Sequence, residues 1–575
     1  MKRVTRRNPA ARSQFSPDIP SLLQRIYANR GLQSDHDVDL ALKNLLPASE
    51  LKGLEPALDL LVSVLEKRQR ILVVGDFDAD GATSSALSVL ALRKLGAAAV
   101  DYLVPNRFEY GYGLTPEIVA VALQRSPGLI LTVDNGISSI EGVKAAKAAG
   151  IKVLVTDHHL PAQVLPIADA IINPNQPGCA FPSKNLAGVG VAFYLMTALR
   201  TRLKQIGWFQ RQGLAEPNMA DYLDIVALGT VADVVPLDHN NRILVHHGLA
   251  RMRAGRCRPG IQALVSVAKR RLSNLVATDL GFAVGPRLNA AGRLTDMSKG
   301  IECLLVDDPA VANRYAAELD QLNHERKSIE GDMQQQALAA LKQLQLGKQS
   351  ELPWGLCIYK RDWQQGVIGI LASRIKERFH RPTIAFAPAD GGEIKGSARS
   401  IPGFHIRDAL DAVASRHPGL IVKFGGHAMA AGLSIREQDL EAFQAAFDAQ
   451  AHRLLQLDDL TGELHSDGEL SEADIDLSVA QMLRQAGPWG QGFPEPLFDG
   501  RFELLDQRIV GEKHLKLSIG LPASKRVVDA IAFNVDLDKW PNRKLKQIYL
   551  AYRLDVNEFR GVQNAQLMVE HLEPA

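Results

Sequence analysis

The sequence predicts an α/β protein: a doubly wound parallel sheet, a long connecting helix, a smaller α/β domain and a C-terminal β-barrel of the OB type. Short apolar runs alternate with helical stretches in the first third of the chain, which is typical of a parallel sheet with right-handed crossovers. Short strands are spaced along the last fifth, which is typical of a small barrel. With 575 residues, the chain is too long for a single hydrophobic core.

Composition and charge exclude several classes of protein. The chain is 46% hydrophobic and 23% charged, as an ordinary globular protein is, and its net charge is only +2. Nucleic-acid binding would therefore need local basic surfaces. The four cysteines show no CxxC spacing, which argues for reduced thiols and against a zinc site. No apolar run has the length of a membrane span, so we expect a cytoplasmic protein with no membrane contact and a flexible basic N-terminal tail.

The first α/β segment contains the elements of the predicted parallel sheet. Five apolar runs are predicted to be strands: 71–74, 100–104, 129–133, 151–155 and 170–172. Three stretches between them are predicted to be helices: 83–95, 116–124 and 138–149. In such sheets, ligands bind outside the carboxyl ends of the strands. The residues that follow each strand are therefore the first candidates for a functional site.

Three aspartates follow the first strand. The sequence ILVVGDFDADG at 71–81 places Asp76, Asp78 and Asp80 two residues apart. In an extended segment this spacing points all three carboxylates to one side. Like charges at the end of a buried strand are unfavourable unless cations neutralise them. The alternative is an acidic turn that only caps a helix, since Gly81 and the Thr-Ser pair after it fit a helix N-terminus.

Two further strands of this segment also end in polar residues. The third is followed by the sequence DNG at 134–136, and the fourth by DHH at 157–159. The fold would gather all three strand ends in one crevice, which favours a metal site over three unrelated turns. Adjacent histidines diverge in an extended segment. We therefore expect one histidine to bind metal and the other to face substrate or support a neighbour.

Asp233 is a further candidate ligand. After a predicted helix at 187–205, a second helix at 221–235 is mostly apolar, and Asp233 lies embedded near its end. A buried acid needs a partner or a cation. Asp233 could cap a neighbouring helix or bind a metal ion.

Two glycine-rich segments favour a phosphate site in the second α/β domain. Predicted strands at 356–359 and 383–386 flank a helix at 367–379, and the segments KGSARS (395–400) and KFGGHA (423–428) follow. Small residues beside Arg, Ser and His let the backbone approach an anion closely. Either segment alone is a weak signal because glycine turns are common. Together they favour a phosphate or nucleotide grip.

The last part of the chain is predicted to be a nucleic-acid-binding barrel. Four short strands are predicted after about residue 460, at 501–505, 515–519, 527–533 and 547–554. Basic residues such as Lys513, Lys516 and Lys525 lie among them, but acidic residues are interleaved. The basic surface is therefore compatible with binding a single strand without specifying it.

With these motifs assembled, the chain resembles the DHH phosphoesterase superfamily. The resemblance rests on GDFDADG (75–81), TVDNG (132–136), TDHH (156–159) and GTVADVVPL (229–237). GPRLNAAGR (285–293) and FGGHAMAAG (424–432) match the DHHA1-type half of the superfamily. The resemblance implies five parts: an N-terminal extension (1–50), a DHH catalytic domain (51–310), a connecting helix (311–349), a DHHA1-type domain (350–458) and an OB-fold domain (459–575).

The resemblance implies a centre of two Mn²⁺ or Mg²⁺ ions. Asp134 would bridge the ions, with Asp76 and Asp78 on one ion. Asp80, His158 and Asp233 would bind the other. The catalytic residues would be Asp134, Asp157 and His159, with His159 on the scissile phosphate or the leaving group. Phosphates would be held by Ser397, Arg399, Gly425, Gly426 and His427 of the second lobe, and by Arg287 and Arg107.

The activity that the resemblance implies is 5′-to-3′ exonuclease digestion of single-stranded DNA by two-metal hydrolysis, in repair and recombination. Expected partners are single-stranded DNA, a single-strand-binding protein and a helicase, and the chain is expected to be a monomer. One alternative is a phosphodiesterase for oligonucleotides or cyclic dinucleotides, which would not need a barrel as an extended track. The other is an inactive DNA-binding scaffold, which the intact acidic motifs argue against.

Overall fold

The structure is a computed structural model that describes residues 2–8, 13–106, 113–346, 352–542 and 544–575. The chain folds into two compact units. One combines Arg6–Asn323 with His465–Ala575, and the other contains His324–Leu464 with the first residues of the chain. Among the described residues, no helix is both long and apolar enough to cross a membrane.

The strands of the described residues are β1 Lys2–Arg6, β2 Arg70–Val74, β3 Ala99–Leu103, β4 Leu129–Val133, β5 Lys152–Thr156, β6 Ala170–Ile172, β7 Leu356–Tyr359, β8 Thr383–Pro388, β9 Glu393–Arg399, β10 Lys423–Gly426, β11 Ala430–Arg436, β12 Gly462–Ser466, β13 Phe498–Val510, β14 His514–Leu521, β15 Arg526–Ala532, β16 Gln547–Phe559 and β17 Val562–Pro574.

The α-helices are α1 Ser21–Ala28, α2 Asp35–Val38, α3 Leu54–Glu66, α4 Ala79–Lys94, α5 Pro116–Leu123, α6 Ile140–Ala148, α7 Gly188–Gln205, α8 Trp208–Gln212, α9 Leu223–Ala232, α10 His239–Arg253, α11 Pro259–Val267, α12 Ala277–Asp279, α13 Gly285–Leu294, α14 Ser298–Leu305, α15 Pro309–Leu346, α16 Ile368–Phe379, α17 Ile406–Arg416, α18 Leu440–Leu454 and α19 Leu477–Gln485.

The larger unit is built on a parallel sheet of order β3-β2-β4-β5-β6. All side chains of β4, and all of β2 except Arg70, are buried, which explains their unbroken apolar runs. The chain winds from β2 to β3 on one side and returns to β4 on the other. The carboxyl ends of β2 and β4 therefore flank the crevice where such folds bind ligands. The predicted doubly wound sheet is confirmed.

The smaller unit contains a mixed sheet of order β10-β11-β9-β8-β7, in which only β7 and β8 are parallel. The two glycine-rich segments predicted to bind phosphate lie mostly on strands, and their contact with phosphate stays a prediction. Ser397 and Arg399 lie on β9, and Gly425 and Gly426 lie on β10. Gly396 of β9 serves packing, since a Cβ on it would lie 2.6 Å from the Phe386 ring.

The C-terminal segment forms a closed five-stranded barrel of order β13-β14-β15-β17-β16, which confirms the predicted barrel. The strand β17 was not predicted. It closes the barrel by pairing with β15 and β16. The predicted flexible tail at the N-terminus is wrong over Lys2–Arg6, because these residues form β1 and pair with β12.

Candidate metal centre

The loop after β2 presents its three aspartates to one crevice. Asp76 and Asp80 are buried, with 4% and 1% of their surface accessible. Asp78 is the N-cap of α4, and its Oδ1 accepts a hydrogen bond from the backbone N–H of Gly81 at 3.0 Å. The capping alternative therefore holds for Asp78. It leaves the second carboxylate oxygen of Asp78 outside this bond, so capping and ion binding are compatible.

Asp80 lies at the N-terminus of α7. Its Oδ2 accepts from the backbone N–H of Gly188 at 2.6 Å, and its Oδ1 accepts from that of Val189 at 2.9 Å. The first turn of a helix favours negative charge. Burial, and then the charge of Asp78, nevertheless raise the pKa of Asp80 to about 7. A cation beside this carboxylate would restore its charged form.

Asp134 lies where β4 ends, at the point where the winding of the sheet reverses. Its backbone is left-handed, with φ +60°. The next residue holds this turn, since the Asn135 amide donates to the carbonyls of Val74 at 3.0 Å and Val133 at 2.9 Å. Burial, and then the charges of Asp80 and Asp78, raise the pKa of Asp134 well above its usual value. Asp134 is thus surrounded by the other acids of the cluster.

The two histidine rings lie together, with centroids 4.5 Å apart. The prediction that they diverge is wrong, because β5 ends at Thr156 and the two histidines lie beyond the extended strand. The Nε2 atom of His158 lies 3.1 Å from Oδ1 of Asp134 and 3.5 Å from Oδ2 of Asp233. Burial, and then the charge of His159, lower the pKa of His158 to about 4. His158 is therefore neutral at pH 7, as a metal ligand must be.

Asp157 is saturated by hydrogen bonds. It accepts from the backbone N–H groups of Ile137, His158 and His159, and from Nδ1 of His159 at 2.8 Å. Burial lowers the pKa of His159, but the hydrogen bond and charge of Asp157 outweigh this effect and raise it to about 9. Asp157 thus fixes the His159 ring and favours its protonated form.

Three overlapping groups of side chains could each hold an ion. Within each group the candidate ligand atoms lie within 4.8 Å of one another: Asp76, Asp78 and Asp134; Asp80, His158 and Asp233; Asp134, His158 and His159. Asp134 is shared between groups. Nε2 of His158 and Oδ2 of Asp233 are buried and make no hydrogen bond within the described part of the chain. Hard carboxylate oxygens with imidazole suit Mn²⁺ or Mg²⁺, so the residues fit the predicted ions.

Small and amide residues that the sequence analysis missed support this cluster. A Cβ on Gly188 would lie 2.6 Å from Cβ of Asp134, so only glycine lets α7 approach so closely. The side chains of Asn173 and Asn175 donate to the carbonyls of His159 and His158, at 2.9 and 2.6 Å. These contacts are long-range and leave no local pattern.

The GPRLNAAGR segment at 285–293 also supports the cluster. It forms α13 in the larger unit, so its assignment to the DHHA1-type half is wrong. Oδ1 of Asn289 accepts from the backbone N–H of Ala79 at 2.8 Å. A Cβ on Gly292 would lie 1.8 Å from the carbonyl oxygen of Phe77. The segment therefore packs directly on the acidic loop.

The predicted phosphate-binding residues are distributed differently. Arg287 is buried, and its guanidinium binds Asp320 at 2.8 Å and the carbonyl of Ala283 at 2.5 Å. Its contact with phosphate stays a prediction, and would require the ion pair to open. Arg107 lies outside the described residues.

In the smaller unit, the other predicted phosphate-binding residues are neighbours. Nη1 of Arg399 donates to Oγ of Ser397 at 3.0 Å, and no described carboxylate forms an ion pair with this guanidinium. A Cβ on Gly369, in the first turn of α16, would lie 2.9 Å from Nη2 of Arg399. The strand β11 lies between β9 and β10 and pairs Ala430 with Arg399. The Gly425-Gly426-His427 segment leads into β11.

Three family models match separate parts of the chain. Residues 70–230 match the DHH family N-terminal domain, 354–453 the DHHA1 domain and 466–571 the RecJ OB domain. The single-stranded-DNA-specific exonuclease RecJ of Dickeya dadantii is 57% identical over 569 residues, which is 99% of each chain.

Two solved structures of RecJ from Thermus thermophilus are also similar. The complex with Mn²⁺ has a TM-score of 0.78 and the complex with Mg²⁺ one of 0.73, each at 30% sequence identity. Each match covers 97% of this chain, and 76% and 75% of the two solved chains. With a metal-fitting acidic cluster on this fold, and with such identity along its whole length, the chain belongs to the RecJ family of DHH proteins.

Proposed function

We propose that this protein is a single-stranded-DNA-specific exonuclease that hydrolyses phosphodiester bonds at a centre of two Mn²⁺ or Mg²⁺ ions. The observation that carries this function is the buried cluster in which Asp134 belongs to two of the candidate ligand groups. The relatives named for this activity and the metal-bound RecJ structures support the same conclusion. The barrel that matches the RecJ OB domain favours a long strand over a cyclic dinucleotide as substrate.

The side chains of this centre would have different roles. When bound, a pair of cations would activate a water molecule and neutralise charge on the attacked phosphate. Asp134 would be shared between the ions, with Asp76 and Asp78 on one side. Asp80, His158 and Asp233 would hold the other side.

His159 would donate a hydrogen bond to the phosphate or to the leaving oxygen. With its pKa near 9, the ring carries a proton at pH 7 and can donate it. Asp157 would not touch the substrate, because its oxygens already accept four hydrogen bonds. It is a positioning residue for His159.

The smaller unit would grip the strand by its phosphates, and we assign the 5′ end to it. Arg399 offers a planar fork of donors beside Ser397 and the first turn of α16, where the backbone favours an anion. Gly425, Gly426 and His427 would add backbone contacts from the end of β10, which β11 separates from β9. This assignment gives the 5′-to-3′ polarity, since a nuclease that begins at one end must recognise that end.

Digestion of end-labelled single-stranded DNA, with Mn²⁺ and with EDTA, tests the function. We expect shortening from the 5′ end that stops in EDTA, and no digestion of blunt duplex. Asp134→Ala should remove the activity, whereas Asp307→Ala should keep it because Asp307 is an exposed partner of Arg258. Digestion that persists in EDTA would contradict the proposal.

Arg399→Ala tests the grip on the end. The variant should slow the digestion of 5′-phosphorylated strands more than that of 5′-hydroxyl strands. Arg399→Lys should restore little of the lost activity, because lysine lacks the planar fork. The Mn²⁺ affinity should not change, since no candidate ligand lies in this unit. Equal slowing on both kinds of end would assign Arg399 to general strand binding.

We propose the accessory partners and the oligomeric state from the proposed activity alone. A single-strand-binding protein and a helicase would supply the strand, and the chain would act as a monomer in the cytoplasm. Size-exclusion chromatography with light scattering tests the monomer.

A further inference from the structure

Phe282 is the most exposed large apolar side chain of the described residues, with 83% of its surface accessible. It lies in a π-helical turn, Leu280–Val284, that leads into α13. Leu280 and Val284 are fully buried, so the turn is anchored while the ring faces solvent. Such turns occur frequently at functional sites. An exposed ring on an anchored turn loses the stabilisation that burial would give it, which indicates a ligand.

The π-helical turn packs against the end of α9, next to Asp233. A Cβ on Gly281 would lie 3.3 Å from Cγ1 of Val231, and one on Gly285 would lie 3.0 Å from Cβ of Ala232. Both contacts fall within two residues of Asp233. The turn then continues into α13, which holds the acidic loop. Phe282 is therefore presented by a segment that contacts two sides of the metal centre.

The residue after Asp233 exposes an apolar side chain. Val234 is 61% exposed and has a left-handed backbone, with φ +64°, which a β-branched residue rarely adopts. Strain of this kind is concentrated at functional sites. Arg287, held by Asp320, donates to the carbonyl of Ala283 and so fixes the turn that carries the ring.

We propose that Phe282 stacks on a nucleobase of the strand whose phosphate lies at the metal centre, and that Val234 packs against the same nucleotide. The inference rests on the proposed function and deepens it, since it assigns a base contact next to the chemistry. Stacking on an aromatic ring is tolerant of sequence because every base has a π-face. It would hold the nucleotide to be cleaved without restricting which base it carries.

Digestion of strands with one abasic nucleotide tests this contact. The full-length protein is given 5′-phosphorylated strands in which a tetrahydrofuran unit replaces one of the first few nucleotides. We expect one position at which the missing base lowers kcat/KM of the wild type about tenfold. Phe282→Ala should lower kcat/KM on the intact strand by a similar factor, with no further loss at that position. Phe282→Trp should restore both the rate and the abasic effect.

Ile206→Ala is the matched control. Ile206 is 37% exposed and follows the far end of α7, about 27 Å along the helix from Gly188. It should keep the wild-type rate and the wild-type abasic effect.

The outcomes separate this inference from the proposed function. A Phe282→Ala protein with the wild-type rate, a loss that multiplies with the abasic loss at every position, or a Trp variant without recovery would overturn the stacking role. A wild type that digests no single strand in Mn²⁺ would contradict the proposed function itself.

Discussion

Aspartates at the ends of neighbouring strands carry different roles, and hydrogen bonds decide which role each takes. Asp134 and Asp157 both follow buried strands of the same sheet. Their local sequences therefore do not distinguish their roles. The carboxylate of Asp157 accepts bonds from three backbone N–H groups and from His159. Asp134 faces other acids and His158 instead. Asp157 can therefore orient a side chain, whereas Asp134 needs cations.

Asp157→Asn should weaken the protonated form of His159. The variant keeps the size of the side chain but loses its charge, so the pKa of His159 should fall from about 9. We expect kcat to fall about 10- to 100-fold with little change in Mn²⁺ affinity. Steady-state kinetics and a Mn²⁺ titration measure the two quantities. A loss of Mn²⁺ binding as large as that of Asp134→Asn would make Asp157 a ligand.

Asp134→Asn should remove the stabilisation that Mn²⁺ gives to the folded protein. Without metal, the melting temperature should not fall, because the variant removes one of several repelling buried acids. With Mn²⁺, the wild type should gain stability by mass action and the variant should gain much less. Thermal unfolding with and without Mn²⁺ measures both effects. An equal gain in the two proteins would rule out Asp134 as a shared ligand.

At the scale of elements, helices α4, α7 and α9 approach the centre closely because small residues lie at their contacts. A Cβ on Gly229 of α9 would lie 2.2 Å from Oγ1 of Thr83 in α4 and 3.1 Å from Oδ1 of Asp80. The first residue of α7, Gly188, contacts Asp134 and donates its N–H to Asp80. Helix packing and ligand geometry are thus set by the same atoms.

Gly188→Ala should weaken metal binding although it is conservative. The added methyl group would overlap Asp134, so α7 or the Asp134 side chain has to move. We expect a fall in Mn²⁺ affinity of at least about tenfold. Gly331→Ala, in the interior of α15, is the matched control, because nothing lies within 4 Å of its Cβ. That variant should keep Mn²⁺ affinity and gain about 0.5–1 kcal/mol of stability. Unchanged Mn²⁺ affinity in Gly188→Ala would show that the contact does not position Asp134.

The elements were predictable where one residue pattern decides them. The strands predicted at 71–74 and 129–133 follow from apolar runs and correspond to β2 and β4. The connecting helix predicted at 311–349 corresponds to α15, and its last three positions lie outside the described residues. The polar ends of the strands indicated the candidate ligands, because topology alone brings those ends together. The role of Asn289 and the close approach of Gly188 to Asp134 were not predictable, since each depends on a contact with a residue more than 50 positions away in sequence. The prediction that the two histidine side chains diverge was wrong, because their directions depend on where β5 ends.

At the scale of the whole molecule, the N-terminal segment packs on the segment that precedes the barrel within the larger unit. Tyr27 of α1 packs on Trp489 and Phe493, with ring centroids 6.3 and 6.5 Å apart. Arg30 forms an ion pair of 3.0 Å with Asp467, and both side chains are almost fully buried. The resemblance implied only an N-terminal extension here, and a buried ion pair leaves no apolar pattern in the sequence to detect.

Arg30→Met should destabilise the larger unit by about 3–5 kcal/mol, because it leaves the buried carboxylate of Asp467 without its cation. Replacing both residues, as Arg30→Met with Asp467→Asn, should recover part of this loss. Denaturant unfolding measures the free energies. Lys144→Met, which breaks the exposed pair with Glu141, should change stability by less than about 0.5 kcal/mol. An Arg30→Met protein as stable as Lys144→Met would show that the buried pair does not hold the segment.

We expect one buried cluster to hold two ions, with Asp134 shared between them. Electron paramagnetic resonance of the Mn²⁺-loaded protein tests it most directly, because two ions about 3.5–4 Å apart interact magnetically. We expect two equivalents of Mn²⁺ per chain with the spectrum of a coupled pair, and the loss of that coupling in Asp134→Asn. A single equivalent, or the six-line spectrum of isolated Mn²⁺ ions in the wild type, would contradict it.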